Sequence, residues 1–345
     1  MKNLNWYGWF NPWSGYGKSN LEWSTALERK FGGVSLGWQR QTKDSDPEVW
    51  KDLTEEQKKL ILKPFRKERI GIIESTPNFF FNNISQYRIG FTMVENTKIG
   101  SNWVKLCNEM DHLFVPNKES VEIFRACGIT KPVSYVRHGF NVEQYPYYER
   151  RENRSVFTFG IAGWLDVRKN WEDIVRAFSS EFVSNEPVRL ILKNNNPGFG
   201  YMMPKDPRIK VIDRTFSPEE MTRFYQILDC LVFPTRGEGS GLPAREAMAT
   251  GLPVILTNWL GLAEVAKPEL SYPIEPVAID FPDIRPEQPG FMARIDIREI
   301  MYWMRYVYEH QEEARQKGKK ASQWMHKDWT WDACVCDMMK ILEKI

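Results

Sequence analysis

Residues 235–254 read TRGEGSGLPAREAMATGLPV, and this stretch is the most informative about the fold. It follows a predicted buried strand that ends at Phe233, and it contains a glycine-bearing loop and then a helix. Pro243 suits the first turn of that helix, and Gly251 suits the position just after its end. This order of strand, loop and helix predicts one unit of a parallel α/β sheet.

The loop before this helix predicts an anion site. The backbone N–H groups of Ser240, Gly241 and Leu242 should point outward from the helix N-terminus, which suits a phosphate. Glu238 and Glu246 flank the site, eight residues apart. Carboxylates would repel a phosphate, so we expect their partners to be hydroxyl groups, one on a ribose and one on a sugar. The alternative is a solvated loop Glu and a helix Glu that favours the dipole, and the spacing alone leaves both open.

Strand-like and helix-like stretches alternate along the whole chain, which predicts an α/β protein with βαβ units. The length of 345 residues suggests two domains. We expect two facing Rossmann-like domains with a cleft between them: residues 1–145, then residues 155–325 after a polar linker at 140–154. A terminal helix at 326–345 either closes the second domain or crosses back to the first.

The candidate elements follow from runs of apolar residues and from their spacing. Strands are expected at 4–10, 34–38, 69–74, 87–94, 112–115, 133–137, 156–162, 188–192, 209–212, 228–233 and 253–257, and helices at 19–30, 102–110, 119–127 and 171–182, with two more beyond Phe291.

Composition excludes several classes of protein. Hydrophobic residues make up 42% and charged residues 27%, which is typical of globular domains and not of disordered chains. The net charge of +2 gives no chain-wide attraction for nucleic acid or an anionic membrane. The five cysteines are scattered and no basic-then-apolar leader is present, so we expect a cytosolic protein. No apolar run approaches the roughly 20 residues that span a bilayer.

Several segments besides 235–254 resemble the nucleotide-sugar glycosyltransferases of family 4, which are retaining enzymes of the GT-B fold. The run EGSGLPAREAMATGLPV looks like the E-x7-E segment of that family. GWLDVRKNWEDIVRAF at 163–178, FVPNKESVEIFRACGI at 114–129, VRHGFNVEQY at 136–145 and SGYGKSN at 14–20 resemble other family segments in the same order. The family often has Arg at the position of Trp164 and Gly at that of Asn170, and Ser240 replaces a common Phe.

The resemblance implies roles for four charged residues. Glu238 would contact the transferred sugar, and Arg168 and Lys169, which follow Gly163, would stabilise the diphosphate leaving group. Glu95 follows a predicted strand in the first half, and we expect it near the acceptor or the sugar. Capping or surface roles are the alternatives for Glu95, and a solvated surface is the alternative for the Arg-Lys pair.

Two further sites in the first half are candidates for substrate binding. His138 lies at the equivalent end of the last strand before the linker, where a purely structural role is the alternative. Gly15-Tyr16-Gly17 is interpreted as a tight turn that lets the backbone approach a ligand. The following Lys18-Ser19 imitates a P-loop, but Pro12 stands at the first glycine of that motif and lacks the N–H that a phosphate cradle needs.

The segment KKLILKPFRKER at 58–69 combines six basic residues with apolar ones. Such a segment suits peripheral contact with an anionic membrane, and an ordinary solvated face is the alternative.

Taken together, the sequence predicts a retaining glycosyltransferase that moves a sugar from a nucleoside diphosphate sugar to an acceptor hydroxyl. The acceptor could be a glycan, a lipid, a small molecule or a modified nucleic acid. No cofactor and no metal are expected, because the cations and the helix N-terminus already offset the phosphate charge. A nucleotide-sugar epimerase, a phosphorylase and a non-catalytic nucleotide- or nucleic-acid-binding protein are the alternatives.

Overall fold

The computed structural model describes residues 3–38, 45–150, 154–195 and 204–345. The chain forms two compact units. The first consists of Met1–Gly139, Ile284–Gly290 and Trp329–Ile345, and the second of Phe140–Asp283 and Phe291–Asp328.

The first unit is built on a parallel six-stranded sheet in the order β2-β1-β3-β4-β5-β6. A 3-10 helix, Pro77–Asn82, follows its third strand. The elements in chain order are β1 (Leu4–Tyr7), α1 (Gly15–Phe31), β2 (Val34–Gly37), α2 (Pro47–Lys51), α3 (Glu55–Leu62), β3 (Ile70–Glu74), β4 (Tyr87–Phe91), α4 (Ser101–Asn108), β5 (His112–Val115), α5 (Lys118–Ala126) and β6 (Val133–Tyr135).

The second unit contains another parallel six-stranded sheet, in the order β12-β11-β10-β7-β8-β9, and an antiparallel pair of β13 with β14. Its elements are β7 (Phe157–Gly163), α6 (Trp171–Glu181), β8 (Val188–Asn194), β9 (Ile209–Asp213), α7 (Pro218–Ile227), β10 (Cys230–Phe233), α8 (Leu242–Ala249), β11 (Val254–Thr257), β12 (Tyr272–Ile274), β13 (Ala278–Pro282), β14 (Phe291–Arg294), α9 (Ile297–Glu309) and α10 (Gln311–Asp328).

The last helix, α11 (Trp331–Leu342), is part of the first unit, where it packs on α1. Trp331 contacts Trp23 of α1 edge-to-face, with 5.2 Å between ring centroids. Edge-to-face packing is a favoured geometry for aromatic pairs, so this contact fixes the helix as well as burying area.

The predicted α/β class with two parallel sheets is confirmed. In α6, Ile174 and Phe178 are fully buried in the core of the second unit, as the apolar spacing predicts. Residues 151–153 of the predicted linker lie outside the described residues.

The predicted turn at Gly15-Tyr16-Gly17 is wrong. These residues form the first turn of α1, which begins four residues before the predicted Ser19. Ser14 is the reason, because its hydroxyl accepts a hydrogen bond from the N–H of Gly17 at 3.1 Å and so caps the helix. Glycine has a low helix propensity, which hides this start from a reading of the sequence.

Within the described residues, no helix is long and apolar enough to cross a bilayer. The basic segment 58–69 is divided by the end of α3 at Leu62, whose side chain is exposed. Nothing in these residues supports the predicted membrane contact.

Two isoleucines of the second unit test where its core lies. Ile174 is fully buried, whereas Ile227 at the end of α7 is 43% exposed. We expect Ile174→Ala to lower the free energy of unfolding by about 2–5 kcal/mol through lost burial and a cavity. The matched Ile227→Ala change should cost at most about 1 kcal/mol. Urea unfolding followed by circular dichroism measures both, and equal losses would contradict this core.

Candidate active site

The loop between β10 and α8 is buried throughout, from Pro234 to Gly241. Gly241 precedes α8 with φ +72°, in the left-handed region. A Cβ there would overlap the Leu262 side chain, so both the backbone conformation and the packing require glycine. The first turn of α8 contains no acidic residue and has no side-chain cap, which leaves the anion-binding character of this helix terminus intact.

Glu238 in this loop binds both cations that the sequence predicts. One of its oxygens, Oε1, lies 2.5 Å from Arg168 Nη1 and 2.7 Å from Lys169 Nζ. Arg168 also donates to the carbonyl of Gly237 at 2.9 Å. All three charged side chains are at most 12% exposed. The structure therefore brings these predicted residues into one buried ion cluster.

Burial dominates the electrostatics of Lys169. Its ammonium lies over the ring of Phe233, and desolvation lowers its pKa while Glu238 acts in the opposite direction. The positive charge of Arg168 beside it lowers the pKa further. Two adjacent cations in a buried place need a counter-anion, and here Glu238 supplies it.

Local backbone contacts position the two cations. Asp166 accepts from the N–H of Lys169 at 3.0 Å and so holds the 3-10 turn Val167–Lys169. Asn170 follows in the left-handed region at φ +56° and donates to the carbonyl of Pro234. A Cβ on Gly163, which ends β7 at φ +141°, would lie 2.9 Å from Lys169 Cε. The predicted glycine therefore makes room for the lysine side chain.

Glu246 lies on α8, where it is 5% exposed and accepts a hydrogen bond from the Tyr225 hydroxyl at 2.9 Å. Burial raises the pKa of Tyr225 well above its ordinary value, with the Glu246 charge adding to the effect. The tyrosine therefore remains a neutral donor that orients the carboxylate.

Arg245 was missed by the sequence analysis. It is fully buried, and its guanidinium donates to the carbonyl of Gly261 at 3.0 Å and to the hydroxyl of Ser240 at 3.4 Å. The N–H of Gly261 in turn donates to the carbonyl of Glu238. Arg245 thus supports the loop that carries Glu238, and an arginine among the small residues of AREAMA was the available signal.

Lys193, at the end of β8, is a second residue that the sequence analysis missed. It is 2% exposed, with its ammonium 4.8 Å from the centroid of the Phe216 ring. Desolvation lowers its pKa to about 8, and the nearby Arg214 contributes to the shift.

The predicted residues of the first unit fall in two places. Tyr16 and Glu95 line one cavity of about 300 Å³, and Glu95 accepts from Arg285 Nη1 at 2.6 Å. The Tyr16 hydroxyl lies 3.3 Å from that of Thr92, and burial raises its pKa.

His138 lies in the interior of the first unit. Its Nε2 is 3.0 Å from Glu74, and both side chains are at most 1% exposed. Ser19 donates to the same carboxylate oxygen.

No group of three or more potential metal ligands from His, Cys, Asp and Glu occurs in the part of the chain that the structure describes.

Part of the second unit is similar to a known protein family. Residues 156–276 match the family model described as glycosyl transferases group 1. This match confirms the predicted enzyme class, a glycosyltransferase, and the resemblance on which the prediction was based. None of the curated proteins compared with this glycosyltransferase matches it.

Solved structures show the same fold across the whole length of this glycosyltransferase. It is similar to sucrose-phosphate synthase from Thermosynechococcus elongatus, with a TM-score of 0.71, 14% identity and coverage of 100% of this chain and 99% of that one. HepE from Anabaena, solved with UDP and glucose, has a TM-score of 0.68 at 12% identity, with both chains fully covered. A glycosyltransferase from Rickettsia africae has a TM-score of 0.67 at 11% identity, covering 100% and 99%. The predicted GT-B fold is confirmed.

The lowered pKa of Lys193 makes the stability of this glycosyltransferase depend on pH. Below pH 8 the lysine is charged in both the folded and the unfolded protein, and its burial cost is fully present. Between about pH 8 and 10.5 the unfolded chain keeps a proton that the folded one has released, so this group makes stability rise with pH.

We expect the free energy of unfolding of the wild type to increase relative to that of Lys193→Met as the pH rises from 7.5 to 10. The difference between the two proteins should change by at most about 3 kcal/mol. Urea titrations of both proteins at the two pH values measure the difference. An identical pH dependence of stability in both proteins would contradict the lowered pKa of Lys193.

Proposed function

We propose that this glycosyltransferase is a retaining, metal-independent enzyme that transfers a sugar from a nucleoside diphosphate sugar to an acceptor hydroxyl. The observation that carries the proposal is the buried cluster of Glu238 with Arg168 and Lys169 beside the N-terminus of α8. Departure of the diphosphate is the difficult step of such a reaction, and fixed positive charge and N–H dipoles stabilise it best.

In the proposed complex, the diphosphate takes the place of Glu238 as the partner of the two cations. The amides of Ser240, Gly241 and Leu242 complete its binding. Glu238, released from the cations, then accepts hydrogen bonds from hydroxyl groups of the transferred sugar. This exchange keeps the buried positive charge compensated both with and without substrate.

Glu246 is proposed to accept hydrogen bonds from the ribose. Its Tyr225 partner holds the carboxylate in place but occupies only one of its two oxygens in that bond. A carboxylate has lone pairs for several donors, so it can bind the tyrosine and a ribose hydroxyl together.

Retention of the anomeric configuration, and acceptance of the acceptor proton by the leaving phosphate, are proposed from the resemblance to family 4. Comparing the anomer of the product with that of the donor by NMR spectroscopy tests this part directly. An inverted product would contradict it.

Nucleotide binding without metal is the first expected outcome. Uridine, guanosine and adenosine diphosphates are screened by thermal unfolding in excess EDTA, and one of them at 100 times its dissociation constant should add about 2.7 kcal/mol of stability. Glu246→Ala should weaken binding of that nucleotide at least about tenfold in calorimetry, since it removes a charged acceptor. Glu219→Ala, a change at a 75% exposed side chain, is the control. Binding only after Mg²⁺ or Mn²⁺ is added would contradict metal independence.

Arg168→Ala and Lys169→Ala are expected to lower turnover by about 10²- to 10³-fold each, by analogy with the loss of one oxyanion donor. Arg223→Ala is the matched control, because this side chain is 70% exposed and pairs with Glu219 on the same helix. The measurement is release of nucleoside diphosphate from the donor that the screen identifies. Near-normal turnover in both active-site variants would mean that other groups stabilise the leaving group.

A further inference from the structure

The proposed function does not say which chemical class of acceptor is used. The first unit contains a cavity whose lining residues bear on that question. Tyr16, Asn78, Glu95, Trp103, Arg285 and Gln288 are among the residues that line this cavity of about 300 Å³. That volume is at the lower end of the range of small-molecule pockets, which is about 300–1,000 Å³. Tyr16 and Glu95 follow the carboxyl ends of β1 and β4, at the sheet edge where α/β proteins bind ligands.

One wall of the cavity is fixed by backbone contacts. Two hydrogen bonds hold the segment Ile284–Gly290 on the loop that follows β4. The N–H of Glu95 donates to Gln288 Oε1 at 2.7 Å. The N–H of Gly100 donates to the carbonyl of Glu287 at 2.9 Å. The Asn96 amide donates to the carbonyl of Gln288. A Cβ at Gly100 would lie 2.6 Å from the carbonyl oxygen of Pro286, so the approach is close. The wall is preformed.

The charges in this cavity disfavour an anionic ligand. Glu95 and Arg285 are paired at 2.6 Å, and Glu287 is the other acidic residue in the lining. A phosphate or carboxylate would meet net negative charge here. A carboxylate beside a guanidinium offers an acceptor next to a donor, which matches two neighbouring hydroxyl groups, each of which both donates and accepts.

The other polar groups of the wall include the amide side chains of Asn78 and Gln288. The indole N–H of Trp103, a residue only 3% exposed, has no hydrogen-bond acceptor among the described residues. This nitrogen is inaccessible to solvent, so the donor is not presented to a ligand in the cavity.

An aromatic cluster of Trp9, Trp38 and Phe79 lies at the same edge of the sheet. Trp9 stacks on Trp38 with 5.7 Å between ring centroids, and Phe79 lies 5.3 Å and 5.2 Å from the two indoles. Trp9 is 38% exposed. Asn78 lines the cavity, and Phe79 is the next residue of the 3-10 helix Pro77–Asn82. This short helix therefore contributes one residue to the cavity and one to the aromatic cluster.

Trp38 adopts an unusual backbone conformation in this cluster, with φ +61° directly after β2. Bulky residues rarely occupy the left-handed region, and such strain concentrates at functional sites. The stacked rings therefore form a supported apolar surface at the same sheet edge as the polar cavity.

We propose that the cavity and the aromatic cluster form the acceptor site and that the acceptor group is a neutral sugar residue. A pyranose has hydroxyl groups around its edge and apolar C–H faces, so it matches the Glu95–Arg285 pair and the exposed face of Trp9. The assignment as an acceptor site rests on the proposed glycosyl transfer.

Calorimetry with methyl α-glucoside, methyl β-galactoside, N-acetylglucosamine and maltose tests the proposal, in the presence of the nucleotide diphosphate that the protein binds. At least one of these sugars should bind the wild type. Trp9→Ala should weaken that binding about tenfold, by loss of an aromatic contact. Phe81→Ala, a change at a 70% exposed ring of the same 3-10 helix outside the cluster, should leave it unchanged.

Glu95→Gln is a second variant that preserves shape, and it should also weaken sugar binding. Nucleotide affinity is measured in every variant and should equal that of the wild type. If the wild type binds a nucleotide but none of the sugars, the acceptor site is contradicted and the proposed function is not. The same holds if Trp9→Ala and Glu95→Gln each bind the sugar as tightly as the wild type does. Tighter binding of glucose 6-phosphate than of methyl α-glucoside contradicts its neutral character. A wild type that binds no nucleoside diphosphate contradicts the proposed function instead.

Discussion

The second unit depends on the compensation of buried positive charge by Glu238. Arg168 and Lys169 are neighbours in sequence and both are nearly inaccessible to solvent, which would be very unfavourable without an anion. Glu238 binds both through one carboxylate oxygen. The geometry of two loops, one after β7 and one after β10, is set by this requirement.

The surrounding structure serves to hold that cluster. The N–H of Arg236 donates to the carbonyl of Arg168 at 2.7 Å, which joins the two loops directly. Arg245 supports the loop after β10 through hydrogen bonds to the hydroxyl of Ser240 and the carbonyl of Gly261. Because these supports are hydrogen bonds between largely buried groups, movement of either loop would leave polar atoms unpaired, and this cost favours the observed arrangement of the two loops.

The two units differ in the kind of charge that they present. In the second unit, two cations share one carboxylate, which suits a ligand that brings its own negative charge. The cavity of the first unit contains Glu287 and a paired Glu95 and Arg285 together with aromatic and amide groups, which suits a hydroxyl-rich ligand without negative charge. The proposed diphosphate donor and the proposed sugar acceptor therefore differ in charge in the same way as the two sites.

The sequence by itself determined the α/β class and eleven of the fourteen strands that the structure describes. Strands such as His112–Val115 are predicted because a buried parallel strand needs a continuous apolar run, and Glu238, Ser240 and Glu246 are predicted because a loop and helix start are encoded within a few residues. Local signals also mislead. The sequence predicts the start of α1 four residues too late, because two glycines with low helix propensity follow Ser14, the residue that caps the helix.

Only the tertiary structure decided which distant residues meet. Arg285 and Gln288 contact the loop of Glu95 from 190 and 193 positions away, and Arg245 is buried under a loop that it supports. No periodicity or motif encodes such contacts, since they arise when the packing of whole elements brings separate loops to one place. The partner of each charge is settled in the same way, because a buried ion is stable only where the folded chain supplies its counter-ion.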